Sequence, residues 1–187
     1  MESSTNVVKH LLPSSEISVN AKDEDGTALL IHASALGHAE VIRLLLQQEG
    51  IDVNCQETES GSTALHRASI GGHTEVVRLL LQERGINVDL KREEDGRTAL
   101  NAASLNGHVE IVRLLLHDGG ADVNTRETQT GHTAVAISQK KCNNDANYRE
   151  EIRHRLPALI IVVGKEFALR HREPRSSVSK AATVANM

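Results

Sequence analysis

Large rings are almost missing from this 187-residue chain, which has no tryptophan, one tyrosine (Tyr148) and one phenylalanine (Phe167). Aromatic side chains usually supply much of a core's buried area, so a core here has to be assembled from Leu, Ile, Val and Ala. The same lack removes the stacking platforms that bind single-stranded nucleic acid. Cysteine is scarce as well. Cys55 and Cys142 show no paired spacing, so neither a disulfide framework nor a zinc knuckle is signalled. The longest apolar run, "LPALIIVV" at 156–163, falls far short of the ~20 residues of a membrane helix. The start, "MESSTNVVKHLLPSSEISVN", has no basic flank followed by a long apolar run and so is no secretory signal. A Gly-rich phosphate loop, G-x-S-x-G and H-E-x-x-H are all missing. These absences predict a non-catalytic chain with no cofactor, no metal and no membrane, placed in the cytoplasm with the nucleus also open.

What is present is a repeat. Three stretches align on their first glycine: "GTALLIHASALGHAEVIRLLLQQEGIDVN" from Gly26, "GSTALHRASIGGHTEVVRLLLQERGINVD" from Gly61 and "GRTALNAASLNGHVEIVRLLLHDGGADVN" from Gly96. A fourth begins as "GHTAVAIS" at Gly131, and the four glycines are spaced by 35 residues. Residues 1–25 match the second half of the unit.

Local rules build one unit. Thr63 or Thr98 can cap a short, Ala-rich helix starting at Ala64 or Ala99. Gly72 or Gly107 ends it, since glycine tolerates the left-handed backbone of a tight turn. A second helix, "TEVVRLLLQE" or "VEIVRLLLHD", follows, with Val76, Val77, Leu80 and Leu81 on one apolar face. Gly85 or Gly120 closes it, and a polar hairpin leads to the next unit. One helix pair cannot bury its own leucine face; stacked copies can.

The order T-x-L-H-x-A, G-H and V-V-x-L-L-L in "GSTALHRASIGGHTEVVRLLLQERGINVD", with G-x-x-V-N at Gly50–Asn54 and Gly120–Asn124, resembles the ankyrin repeat. The resemblance implies an all-α, ankyrin-type helix-turn-helix solenoid with hairpin loops. Ala64, Ala99 and Ala134 stand where the family has proline, Ala28 where later units have threonine, and Ile31, Asn101 and Ala136 where His66 keeps the motif histidine. The 35-residue unit carries one extra residue after the second helix (Glu49, Arg84, Gly119) and one in the hairpin, similar to arrays in large fungal multi-repeat proteins. The expected organisation is a half repeat at 1–25, repeats at 26–60, 61–95 and 96–130, a diverged capping repeat at 131–165, and a polar, disordered tail at 166–187. In the capping unit, "PALIIVV" is expected to cover the open end.

His38, His73 and His108 recur at one position. Packed helices lie ~8–10 Å apart, too far for two imidazoles to share a zinc at ~2.0–2.1 Å each. The reading is instead a hydrogen bond from each ring to backbone around the turn between the two helices. Glu40/Arg43, Glu75/Arg78 and Glu110/Arg113 form i, i+3 pairs on a solvated outer face. They are no catalytic constellation, because a reaction rarely needs three copies of its base.

Function is then expected on the variable surface, which the resemblance places in a concave groove. The hairpin tips read "KDED" (22–25), "QETES" (56–60), "KREED" (91–95) and "RETQT" (126–130), the first three net acidic. The exposed helix positions are expected to be His32, Arg67, Ala102 and Ile137. The partner-binding candidates are Asp23, Glu24, Asp25, His32, Glu57, Glu59, Arg67, Arg92, Glu93, Glu94, Asp95, Arg97, Glu127 and His132. Residues 140–180 hold ten Lys/Arg against five Asp/Glu, which leaves the first 139 residues at −9 within a total of −4. An acidic repeat body argues against nucleic acid, whose binding rests on neutralised phosphates. The reading is a scaffold or adaptor for a protein partner. The alternative is a small-molecule or catalytic pocket near 140–171, using groups such as His154, Lys165 or His171. The half-repeat start also leaves open that the chain is part of, or derived from, a larger ankyrin array.

Overall fold

A computed structural model describes residues 18–144 together with Ala158 and Ile160. Among the described residues helices come in pairs: α1 (Leu29–Ala35) with α2 (Ala39–Leu46), α3 (Ala64–Gly71) with α4 (Thr74–Leu81), α5 (Ala99–Asn106) with α6 (Val109–His117), and then α7 (Ala134–Asn144). The first helices of the pairs stack in one layer, α1 on α3 on α5 on α7, and the second helices in another, α2 on α4 on α6. The expected helix-turn-helix solenoid is the observed fold.

Each boundary has a chemical cause. Thr63 and Thr98 have extended backbone, and each side chain accepts the N–H of the third helical residue, His66 or Asn101, whose side chain in turn accepts the threonine N–H. These reciprocal bonds form capping boxes. Ala28 has no side chain that can cap, and α1 starts without such a bond. Gly72 (φ 77°) and Gly107 (φ 74°) end α3 and α5 in the left-handed region.

The small residues of the first layer bring its helices close: Ala64, Ala68, Ala99 and Ala103 have no exposed surface. Between the layers run Val41, Ile42 and Leu45, then Val76, Val77 and Leu80, then Ile111, Val112 and Leu115, all at 5% exposure or less. Leu79, at 7%, is deeper than Leu81, which was expected on the buried face but is only partly covered. Ile160, from the "PALIIVV" run, is fully buried and joins the same core. Apart from Ala158, which is exposed, the rest of that run, the half repeat before residue 18 and the tail at 166–187 lie outside the described residues.

Polar side chains stitch unit to unit. Asn20 donates to the Gly50 carbonyl (2.7 Å) and accepts the Asp52 N–H (2.9 Å). Asn54 repeats this with Gly85 (2.8 Å) and Asn87 (2.8 Å). Asp89 takes the same place one unit later and accepts the Asp122 N–H at 3.0 Å, but it has no amide to offer the next carbonyl, Gly120. Burial pushes its carboxyl above the usual aspartate range, and the Asp122 charge adds to this. Asp89→Asn is therefore expected to stabilise the fold at neutral pH. It restores one hydrogen bond and removes a disfavoured charge, a gain of about 1 kcal/mol. Urea unfolding checks this, and a lower midpoint than wild type would refute it.

Candidate functional site

The hairpins and the first-layer helices share one face, and most charges on it are spent internally. The hairpin of the first unit is one residue shorter, since Asn20 and Asn54 lie 34 apart whereas Asn54 and Asp89 lie 35 apart. Allowing for this, Asp23, Glu57, Arg92 and Glu127 are equivalent, and so are His32, Arg67, Ala102 and Ile137 on the helices. In the first unit His32 Nε2 lies 2.6 Å from Asp23 Oδ2. In the second, Arg67 grips Glu57 with both Nε (3.1 Å) and its terminal nitrogen. The third unit reverses the hairpin charge, and Arg92 turns to Glu94 and Asp95 of its own tip because Ala102 offers no partner. In the fourth, Arg97 reaches forward from the preceding hairpin to Glu127, at 2.7 Å.

These contacts hold the carboxylates ionised. Burial would raise Glu57, but hydrogen bonds from Ser60, Arg67 and Ser62 and the Arg67 charge outweigh it and keep the group below the usual glutamate range. Glu127 follows the same balance, with Thr130, Arg97 and His132 opposing burial. Asp23 is lowered by the Thr27 N–H (2.8 Å) and by His32.

The exposure expected along this face therefore needs correction at five positions. Glu57 (5%), Asp95 (5%) and Glu127 (4%) are buried, because each carboxylate turns inward to an arginine and to hydroxyl or backbone donors. Ala102 is buried because its single methyl sinks between the packed helices. Ile137 is buried on α7, which packs on α5. His32 is exposed and Arg67 partly so. Arg92, Glu94, Arg97 and His132 are each tied to a neighbour on the same face.

Four acidic groups differ. Among the described residues Glu24, Asp25, Glu59 and Glu93 are exposed and form no ion pair. Backbone bonds link the later tips, Glu93 and Glu94 N–H to the Ser60 carbonyl (3.0 and 3.3 Å) and Thr128 N–H to that of Asp95 (3.0 Å). Side chains join the first tip to the second, Lys22 Nζ to the Gln56 carbonyl (2.8 Å) and the Thr58 hydroxyl to that of Gly26 (3.4 Å). At the C-terminal end of α1, Leu36 is 65% exposed. No group of three His, Cys, Asp or Glu among the described residues could hold a metal ion. His154, Lys165 and His171, candidates for a pocket near 140–171, lie outside the described residues.

A family model described as ankyrin repeats (3 copies) matches residues 1–92, 49–127 and 90–147. The chain belongs to the ankyrin-repeat family. Ankyrin repeats are generally protein-interaction modules rather than enzymes. No curated protein matches the chain. In this ankyrin array no described helix is long and apolar enough to cross a membrane.

The array's paired positions had a sequence signal that an ungapped 35-residue alignment hides. Shifting the first hairpin by one residue stacks Asp23 over Glu57 and Glu127, with His32 and Arg67 opposite. The recurrent histidines also bind further away than the turn itself. His73 Nε2 reaches the Ala35 carbonyl (3.0 Å) and His108 Nε2 that of Ile70 (3.1 Å), each in the preceding unit.

Proposed function

We propose that this chain is a non-catalytic scaffold or adaptor that holds a protein partner in the groove between its hairpin tips and first-layer helices. It works in the cytoplasm, and the nucleus is compatible with the same reading. The observation that supports it is the division of charges on one face. Glu57, Asp95 and Glu127 are used up inside the fold, whereas Glu24, Asp25, Glu59 and Glu93 stand on the tips with no ion-pair partner among the described residues. A row of unpaired carboxylates on a rigid frame favours a partner segment carrying Lys or Arg, and such complementarity speeds association and selects among partners.

The test is affinity capture from native cell extract with the full chain, comparing wild type with a quadruple alanine variant at Glu24, Asp25, Glu59 and Glu93. Because none of the four braces the fold, the variant is expected to unfold with the wild-type midpoint while losing its salt-sensitive partner. If every recovered protein stays bound to the variant, the tips do not carry the interaction.

A further inference from the structure

We infer that the joint between α3 and the 90–98 hairpin that leads into the unit at 96–130 is an acid-labile seam, controlled by the buried imidazole of His66. The ring has 1% of its surface exposed and both nitrogens are engaged. Nδ1 lies 3.2 Å from the Thr63 N–H and 2.8 Å from the Thr63 hydroxyl. Nε2 lies 3.0 Å from the Arg97 carbonyl, which can only accept. The proton therefore sits on Nε2, and Nδ1 receives the backbone N–H of Thr63. A second proton on Nδ1 can pass only to the Thr63 hydroxyl, 2.8 Å away, and takes from the Thr63 N–H the lone pair it donates to. It would break the capping box of α3, and the bond to Arg97 that ties α3 to the next hairpin would have to survive beside a buried cation.

The surroundings add to this. The charged groups facing the ring come from the next hairpin: Arg92 opposes a positive charge and Asp95 favours one, while the Leu90 and Arg97 carbonyls also favour it. Burial is the largest influence, and the ring is held down to about 4 from an ordinary 6.5. The sign follows from linkage. The opened seam takes up the proton first, so the seam is tight above about pH 6.5 and loosens as pH falls toward 4. By pH 5 the opening equilibrium is expected to rise about 30-fold.

Among the described residues only this joint is built so. At the equivalent place in the next unit, Asn101 makes the same capping box with Thr98 and has no proton to gain. The first unit has Ile31 there and the fourth has Ala136. His73 and His108 use only Nε2 as donor to a carbonyl, a bond that a protonated ring can still make. An array with one such joint would part there on entering a mildly acidic compartment, splitting the row of tips between Glu59 and Glu93.

Hydrogen exchange followed by mass spectrometry on the full chain, at pH 7.5 and pH 5 with intrinsic rates corrected, reads the seam directly. Protection in 64–71 and 90–98 is expected to fall about 30-fold at pH 5, while 109–117 changes far less. In His66→Asn, which copies the arrangement at Asn101, the local pH response is expected to vanish even if overall stability is lower. Equal loss along the whole array, or the same local response in His66→Asn, would overturn the proposal. Should the variant not fold, the wild-type exchange pattern decides alone.

Discussion

Arg97→Ala is expected to cost about 2–3 kcal/mol in urea unfolding at neutral pH, far more than the loss of an ordinary surface charge. The guanidinium stands 2.7 Å from Glu127 and 3.5 Å from Asp95, whose side chains are 2% and 7% exposed. Removing it leaves the buried Glu127 carboxylate without its arginine and Asp95 with Arg92 alone, at 3.3 Å. A fully buried pair broken in this way costs about 3–5 kcal/mol; Arg97 is itself 27% exposed, so water recovers part of the loss. His132 Nδ1, at 3.6 Å from Glu127, can replace the charge only in part. Arg113→Ala provides the contrast. Its pair with Glu110 spans 3.6 Å with both side chains more than half exposed, and its loss is expected to stay within about 0.5 kcal/mol.

The pH dependence distinguishes this cause from lost packing. Arg97 helps to hold Glu127 below the usual glutamate range, so the stability it contributes is present above that range and disappears as pH falls through the lowered value. The Arg97→Ala penalty should therefore shrink in acid, and adding Glu127→Gln should return part of it at neutral pH. A penalty equal to that of Arg113→Ala, or one that acid leaves unchanged, would show that the carboxylates are not what Arg97 supports.

The repeat, its helix pairs and its caps were legible because they depend on local chemistry. A threonine before an alanine run and a glycine after it act within a few residues, and recurrence multiplies the signal. Side-chain direction at the hairpins was less legible, because it is decided across units. "QETES" contains two glutamates of equal propensity, yet Glu57 turns inward to Arg67, ten residues later, and Glu59 points to solvent. Likewise Glu127 is buried only because Arg97 stands in the unit before it. Ala102 and Ile137 were misjudged for a simpler reason: residues that vary inside a framework need not be exposed, and a small side chain between two helices is covered by its neighbours. The histidines fell between these cases. Their bonding to backbone followed from the burial of polar groups, but the acceptor, 38 residues earlier, followed only from how the units stack.

Gly72→Ala is expected to destabilise the array by about 2–3 kcal/mol, and Gly85→Ala by only about 1 kcal/mol. Both glycines have positive φ, 77° and 83°, so the backbone strain of adding a Cβ is similar. Their surroundings differ. At Gly85 nothing lies within 4 Å of an added Cβ. At Gly72 it would come 2.7 Å from Cε1 of His108 and 3.1 Å from Nδ1 and Nε2. The ring occupies that space to reach the Ile70 carbonyl, so the methyl must displace it and the bond between units is lost. The difference between the two variants, about 1–2 kcal/mol, thus measures the seating of one unit's histidine over the previous unit's glycine rather than the turn itself. A double-variant cycle makes the assignment: with His108 already replaced by alanine, Gly72→Ala should cost no more than Gly85→Ala. If its full cost persists without the ring, the glycine serves only its own turn, and the recurrent glycine and histidine act independently.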